Sequence, residues 1–302
     1  MPLSSYRGRF APSPTGSLHF GSLVAAVGSF LDAKQHNGSW LVRIEDLDQP
    51  RCVIGAADDI LRTLEAFGLY WDETVIYQST RTGAYAAALH QLQESTVAYP
   101  CGCTRREIAD SSQQGIDGQI YPGTCRQGLP SGRSARAWRV RTGDYPVGFS
   151  DVLHGFLSQN LQQEIGDFVV KRADGLYAYQ LAVVVDDAFQ GITQVVRGSD
   201  LQLSTPRQIY LQRLLQLASP HYMHLPVALN SAGEKLGKQT RAPAVTTDQI
   251  VQTLYGILQF LHQQPPVELL QGSAAEVLAW AVKHWQLDRL RGAPLQASIS
   301  RS

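Results

Sequence analysis

The sequence predicts an α/β protein whose mostly parallel sheet is covered by helices on both faces. Two observations carry that expectation. Strand and helix periodicities alternate from Tyr6 to Leu92, and after an irregular stretch the alternation resumes with the continuous apolar runs of buried parallel strands. With 302 residues, 44% of them hydrophobic and 17% charged, the chain can build one large core with an insertion or two modest cores.

Tyr6 to Ala11 reads as a short strand, and Pro12, Pro14 and Gly16 then exclude regular structure. Leu23, Val24, Val27, Phe30 and Leu31 recur at three and four, which predicts a helix of about four turns. Asn37-Gly38 marks a turn, Ser39 to Ile44 a second strand, and the three elements make a βαβ unit. Ile60, Leu61, Leu64 and Phe67 predict a helix over Gly55 to Phe67, and Tyr85 to Leu92 reads as another.

Between Tyr99 and Asp167 glycines, prolines and three cysteines gather and helical periodicity fades, so an inserted subdomain is expected there. Leu181 to Val185 is an unbroken apolar run and predicts a buried parallel strand, with Val195-Val196 as the next. Beyond Pro226 the expectation is mostly helical: Ile250, Leu254, Ile257, Leu258 and Leu261 share a face, and Ser273-Ala-Ala-Glu276 matches a capping box. The predicted division is a main domain in two parts, 1–98 and 168–225, an insertion over 99–167, and a helical C-terminal region over 226–302.

Composition excludes several classes of function. No eighteen apolar residues run together and no signal-peptide pattern opens the chain, so a cytoplasmic protein without a membrane partner is expected, and a monomer. Lys plus Arg, at 26, equals Asp plus Glu, at 26, so no global positive field exists and any nucleic-acid contact must be local. The candidate for it is Arg126 to Arg141, where five arginines and Trp138 occur without a carboxylate; an ordinary strand with one wet face fits the same pattern.

The most informative stretch is Arg9-Phe-Ala-Pro-Ser-Pro-Thr-Gly-Ser-Leu-His19-Phe-Gly21-Ser22. It joins the first strand to the first helix, where open α/β sheets bind ligands and where helix N–H groups and the positive dipole end suit phosphate. A Rossmann-like nucleotide-binding sheet follows from that position. His19 has a donor to offer a phosphoryl oxygen, and Gly21 leaves room for a base against the backbone. Far down the chain, Glu234-Lys235-Leu236-Gly237-Lys238-Gln239 places two lysines where they are able to close over the same phosphates.

Cys101-Gly-Cys103 with Cys125 supplies three thiolates, a set that suits tetrahedral zinc once a fourth ligand is found. Spacing does not name that ligand; His90 and His154 are the first to try by chemistry.

Pro12-Ser-Pro-Thr-Gly-Ser-Leu-His19-Phe-Gly21-Ser22 resembles the HIGH motif of the class I glutamyl-tRNA synthetases, and Lys235-Leu-Gly-Lys238-Gln resembles their KMSKS loop. Arg43-Ile-Glu45-Asp-Leu-Asp48, Tyr77-Gln-Ser, Cys101-Gly-Cys-Thr-Arg and Val196-Arg197-Gly-Ser-Asp-Leu match the same family in order. The chain departs from it at Ser22, Gly237 and Gln239, so His19 alone remains of the helix-start imidazole pair. The likeness spans Arg9 to about Gln239, with no anticodon-binding domain expected after it. Together with the cysteines, this points to the truncated members that attach glutamate to queuosine in tRNA(Asp).

The resemblance implies ATP and L-glutamate as substrates, Mg²⁺ with the ATP, structural Zn²⁺, and a tRNA acceptor. Catalytic His19 and Lys238 stabilise phosphoryl charge, and ATP meets His19, Gly21, Lys235 and Lys238. A dicarboxylic amino acid needs cations for its carboxylates and an anion for its ammonium: Arg9 and Arg197 supply the first and Glu45 the second, all at expected carboxyl ends of strands. The family's amino-acid site adds Ser13 and Tyr179, and its metal site makes Tyr121 the fourth ligand. Three other functions share parts of this pattern: a truncated synthetase charging the tRNA 3′ end, a non-catalytic tRNA-binding module, and a small-cofactor nucleotidyltransferase, which the Arg43-Ile-Glu-Asp segment and the cysteines do not suit.

Overall fold

The computed structural model describes residues 6–230, 233–236, 243–292 and 296–298. Its first elements are β1 (Arg7–Phe10), α1 (Phe20–Gln35), β2 (Ser39–Ile44), α2 (Ala56–Ala66), β3 (Ile76–Tyr77) and α3 (Thr82–Glu94). β1 and β2 pair in parallel from Arg7 opposite Ser39 to Phe10 opposite Val42, and β3 pairs in parallel on the other edge of β2. The expected βαβ unit is present, with Asn37 at a φ of 51° in its turn.

The middle of the chain holds β4 (Ala98–Cys101), α4 (Arg105–Ser111), β5 (Gln114–Gly115), β6 (Gly118–Gln119), β7 (Ala137–Val140), β8 (Pro146–Asp151), β9 (Gly155–Asn160), α5 (Leu161–Glu164) and β10 (Phe168–Lys171). β4, β7 and β10 form a small antiparallel sheet beside the cysteines. β8 and β9 lie in the segment read as an insertion, yet they extend the main sheet: β8 is parallel to a later strand, at Asp151 opposite Tyr222, and antiparallel to β9.

Next come α6 (Tyr179–Phe189), β11 (Gln194–Gly198), α7 (Thr205–Leu214) and β12 (His221–Leu225). The predicted strand at Leu181 to Val185 is corrected here, because those residues lie inside helix α6. Leu181, Ala182, Val183 and Val184 are all buried, so the helix shows no polar stripe, and a short all-apolar run has no period by which to tell helix from strand. β11 and β12 are parallel, and β11 lies beside β1, where Thr193 donates its amide to Arg7 O at 2.9 Å.

The last elements are β13 (Val227–Leu229), α8 (Ile250–Phe260), α9 (Ala274–His284) and β14 (Gln296–Ser298), the two strands pairing in parallel. α9 opens with the expected capping box: Ser273 Oγ accepts from Glu276 N at 3.3 Å and Glu276 Oε2 accepts from Ser273 N at 2.7 Å. Among the described residues no helix is long and apolar enough to cross a membrane.

Strand alternation sends successive side chains to opposite faces, and it sorts the core into two layers. Trp40, Val42 and Ile44 of β2 pack with α1, α8 and α9, whereas Leu41 joins α3, α6 and α7 on the other face. Arg9 and Arg43 share the parity of Leu41, and both reach α6. The period that builds the core thus also delivers two guanidinium groups to one helix.

Candidate active site and metal cluster

A cavity of about 530 Å³ opens at the carboxyl ends of β1, β2 and β11. Arg9, Ser13, His19, Gly21, Glu45, Tyr179, Arg197 and Lys235, all predicted from sequence, line it together. Lys238 lies outside the described residues.

The turn after β1 is fixed from both sides: Glu45 donates its amide to Pro12 O and Val53 donates to Pro14 O, each at 2.9 Å. His19 is the N-cap of α1, and its Nδ1 accepts from Ser22 N at 3.2 Å. That bond places the imidazole proton on Nε2, 3.1 Å from Ser22 Oγ. The cap thus fixes the ring at the cavity wall. A Cβ on Gly21 would stand 3.3 Å from that ring and 3.5 Å from Leu236 O, so glycine keeps the imidazole in place. The lysine segment meets this turn from two described flanks. Leu236 donates to Ala228 O at 2.8 Å, and Val245 donates to Leu18 O at 2.9 Å. Lys235 Nζ pairs with Asp200 at 2.5 Å on the cavity rim.

The two arginines expected to act alike differ in their surroundings. Arg9 donates Nε and Nη2 to the two oxygens of Asp187, at 3.1 and 3.3 Å. Arg43, fully buried, donates Nη1 to Asp187 at 2.8 Å and Nη2 to Glu45 at 3.3 Å. Burial works against the Asp187 charge, but Arg9 and Arg43 outweigh it and hold the carboxyl below its usual range. Burial pushes the Glu45 carboxyl up, against the pull of Arg43 and Arg9. Arg9, Arg43, Asp187 and Glu45 thus balance in charge. Arg197 has no carboxylate in ion-pair contact among the described residues, and its donors go to Tyr179, Gln208, Thr205, His224 and Leu201 O.

Asp187, Arg43 as its partner, His224 and Asp151 were missed from sequence. The Asp186-Asp187 pair closing an apolar run was the available signal, because adjacent acids at a buried site require cationic or hydrogen-bonded partners.

The cysteines converge as expected. Cys101, Cys103 and Cys125 bring their sulfurs within 4.8 Å of one another, a grouping able to hold a metal ion. Tyr121 OH lies 3.4 Å from Cys101 Sγ and 3.5 Å from Cys103 Sγ, and the Cys103 and Cys125 sulfurs are 3.7 Å apart. A tetrahedral zinc with Zn–S of about 2.3 Å and Zn–O of about 2.0 Å has ligand separations of roughly 3.8 Å and 3.5 Å, so these three separations suit that ion. His90 instead faces Glu94, and His154 meets His224 O at 2.8 Å.

Four of the five arginines from 126 to 141 have partners within the chain. Arg126 pairs with Asp167 at 2.5 Å and Arg133 with Glu107 at 2.5 Å. Arg139 lies 3.9 Å over the Tyr121 ring and donates to Cys101 Sγ at 3.4 Å, and Arg141 donates to Arg126 O. Arg136 is exposed. Strand β7 accounts for Ala137–Val140 of this stretch, as the strand reading expects.

Comparison with known proteins places this geometry. The family model described as tRNA synthetases class I (E and Q), catalytic domain, matches residues 5–256. A protein of Dechloromonas aromatica named glutamyl-Q tRNA(Asp) synthetase is 61% identical over 287 residues, covering 94% of this chain and 95% of that relative. The chain belongs to the glutamyl-Q tRNA(Asp) synthetase family of class I tRNA synthetases. It is accordingly an enzyme of the ligase class. Relatives of the same name from Thiobacillus denitrificans and Pseudomonas aeruginosa are 57% and 52% identical, covering 96% and 95% of this chain and 96% of each relative. A glutamate tRNA ligase from Elizabethkingia meningosepticum shares the fold with a TM-score of 0.80 at 23% identity, over 98% of this chain and 67% of that one. The chain therefore carries an α/β class I synthetase fold, with the His19 turn and Lys235 lining one cavity.

Proposed function

We propose that the enzyme activates L-glutamate with ATP and transfers the glutamyl group to the queuosine base in the anticodon loop of tRNA(Asp). One observation carries the activation step: a single cavity is lined by the His19 turn, Lys235, and a charged set with Arg197 at its end. Family membership and the names of the relatives support the acceptor.

The glutamate α-carboxylate oxygen attacks the α-phosphorus of ATP, the bond to the bridging oxygen breaks, and pyrophosphate leaves. A queuosine hydroxyl then attacks the glutamyl carbonyl and AMP departs. Catalysis is placement and charge stabilisation, without a protein nucleophile. His19 donates Nε2–H toward the phosphoryl oxygens, Gly21 keeps that ring seated, and Lys235 and Lys238 oppose the charge of the leaving pyrophosphate. Arg197 and Arg9 face the substrate carboxylates, Glu45 the ammonium, and Ser13 and Tyr179 orient the amino acid. Mg²⁺ entering with ATP supplies further neutralisation of phosphate charge. Cys101, Cys103, Tyr121 and Cys125 hold zinc, a structural ion that fastens a segment with little core.

The test is incubation of the enzyme with labelled glutamate, ATP and total bacterial tRNA, followed by nuclease digestion. Label on the queuosine nucleotide is the expected result. Label on the 3′-terminal adenosine would instead make the enzyme a truncated synthetase, and absence of any adenylate would leave only tRNA binding.

A further inference from the structure

Arg197 is 5% exposed, and all its N–H donors are engaged. The bonds fall into two groups. Three are short: Nη2 to Thr205 Oγ1 at 2.8 Å, Nη1 to Gln208 Oε1 at 2.9 Å, and Nε to His224 Nε2 at 3.1 Å. Two are long: Nη1 to the Tyr179 hydroxyl at 3.4 Å and Nη2 to Leu201 O at 3.3 Å. Tyr179 and Leu201 both line the cavity. An entering carboxylate thus has two weak bonds to replace, one on each terminal nitrogen, as bidentate binding requires. The short bonds hold the guanidinium plane during the exchange.

His224 is fully buried, and its tautomer follows from its partners. A guanidinium only donates, so His224 Nε2 accepts, and the ring proton sits on Nδ1, 2.7 Å from Asp151 Oδ2. Asp151 is fixed in turn, with Oδ1 accepting from Leu153 N at 3.0 Å and His154 N at 3.1 Å. We propose that His224, oriented by Asp151, is a positioning residue for the substrate carboxylate: it anchors Arg197 as a neutral acceptor and keeps the buried acid one ring away. The inference rests on the reading that Arg197 binds glutamate.

Arg9 shows the alternative. It meets Asp187 directly through two oxygens, which weakens its pull on a substrate carboxylate without abolishing it. An acid in direct contact with Arg197 would weaken its pull on substrate in the same way, whereas an alkyl group would leave Nε unpaired in the core. Burial lowers the His224 pKa to about 4 and Arg197 lowers it too, against the raising effect of Asp151. The charged or titratable groups around the ring are Asp151 from β8, Arg197 from β11, Tyr222 from β12 and His154 from the β8–β9 turn. The imidazole is neutral across the working pH range.

The test is glutamate-dependent ATP–pyrophosphate exchange by the full chain with total tRNA present. Asp151→Asn and His224→Leu are expected to raise KM for glutamate by about tenfold each, the cost of one hydrogen bond to a charged group. KM for ATP stays within a factor of about two, and His224→Gln, which keeps a neutral acceptor, recovers most of the loss. ¹⁵N spectra of the unmodified enzyme are expected to show a protonated Nδ1 and a bare Nε2 on His224. Arg197→Lys separates the two readings. If it leaves KM for glutamate unchanged, the assignment of the cavity fails. If it raises KM while Asp151→Asn and His224→Leu do not, the positioning role alone is overturned. A protonated Nε2, or parallel rises in both KM values, also overturns it.

Discussion

Asp187 carries more of the structure than its place in the sequence suggests, because two guanidinium groups, 3% and 0% exposed as residues, share its carboxylate. Removing the acid while leaving both cations is the costly way to break a buried pair, worth about 3–5 kcal/mol. Asp187→Asn is therefore expected to lower unfolding stability by that amount at pH 7, measured by urea denaturation. The pH dependence has a fixed sign. The folded carboxyl titrates below its unfolded value of about 3.9, so its contribution is complete above that pH and is lost as pH falls through the lower folded value. The wild-type acid limb below about pH 4 flattens in the variant. Arg9, Glu45 and Arg197 were legible from sequence because each sits in a short motif at a strand end. Asp187 was not, because its partners lie 178 and 144 positions away and leave no local period.

At the scale of elements, what could be read depended on whether one face of each meets water. α2 was placed to within a residue at each end because only Ala56, Ile60 and Leu64 are buried along it. α6 was not, because its sides are covered by α3, α7 and the sheet. The cysteine segment is the opposite case, an element with little periodic core, whose buried apolar cluster is Tyr99, Cys101, Tyr121 and Cys125. Its order should then depend on the ion that the four donors fit. Native mass spectrometry is expected to find one zinc per chain, and removal by chelator should speed amide exchange between β4 and β7 while leaving α1 protected. Cys125→Ser should do the same without chelator. A chain free of metal with this segment still protected would remove zinc from the account.

For the whole molecule, the sheet has no dispensable side. α8 and α9 lie at the far end of the sequence, yet they pack on α1, the helix that carries the phosphate turn. Leu254, Ile257, Leu258, Leu261, Val277, Leu278 and Trp285 are all buried there. Each such side chain contributes roughly 1.5–3 kcal/mol when fully buried, so together they rival the 5–15 kcal/mol that about any domain has to spare. Their loss would also expose Leu23, Val27 and Leu31 of α1, beneath the turn that holds His19. The helical segment thus shares one hydrophobic core with the helix that His19 caps. A chain ending before α8 is expected to be insoluble or to lack cooperative thermal unfolding by circular dichroism. A soluble, cooperatively folding product that still binds ATP would show that the α1 face closes without these helices.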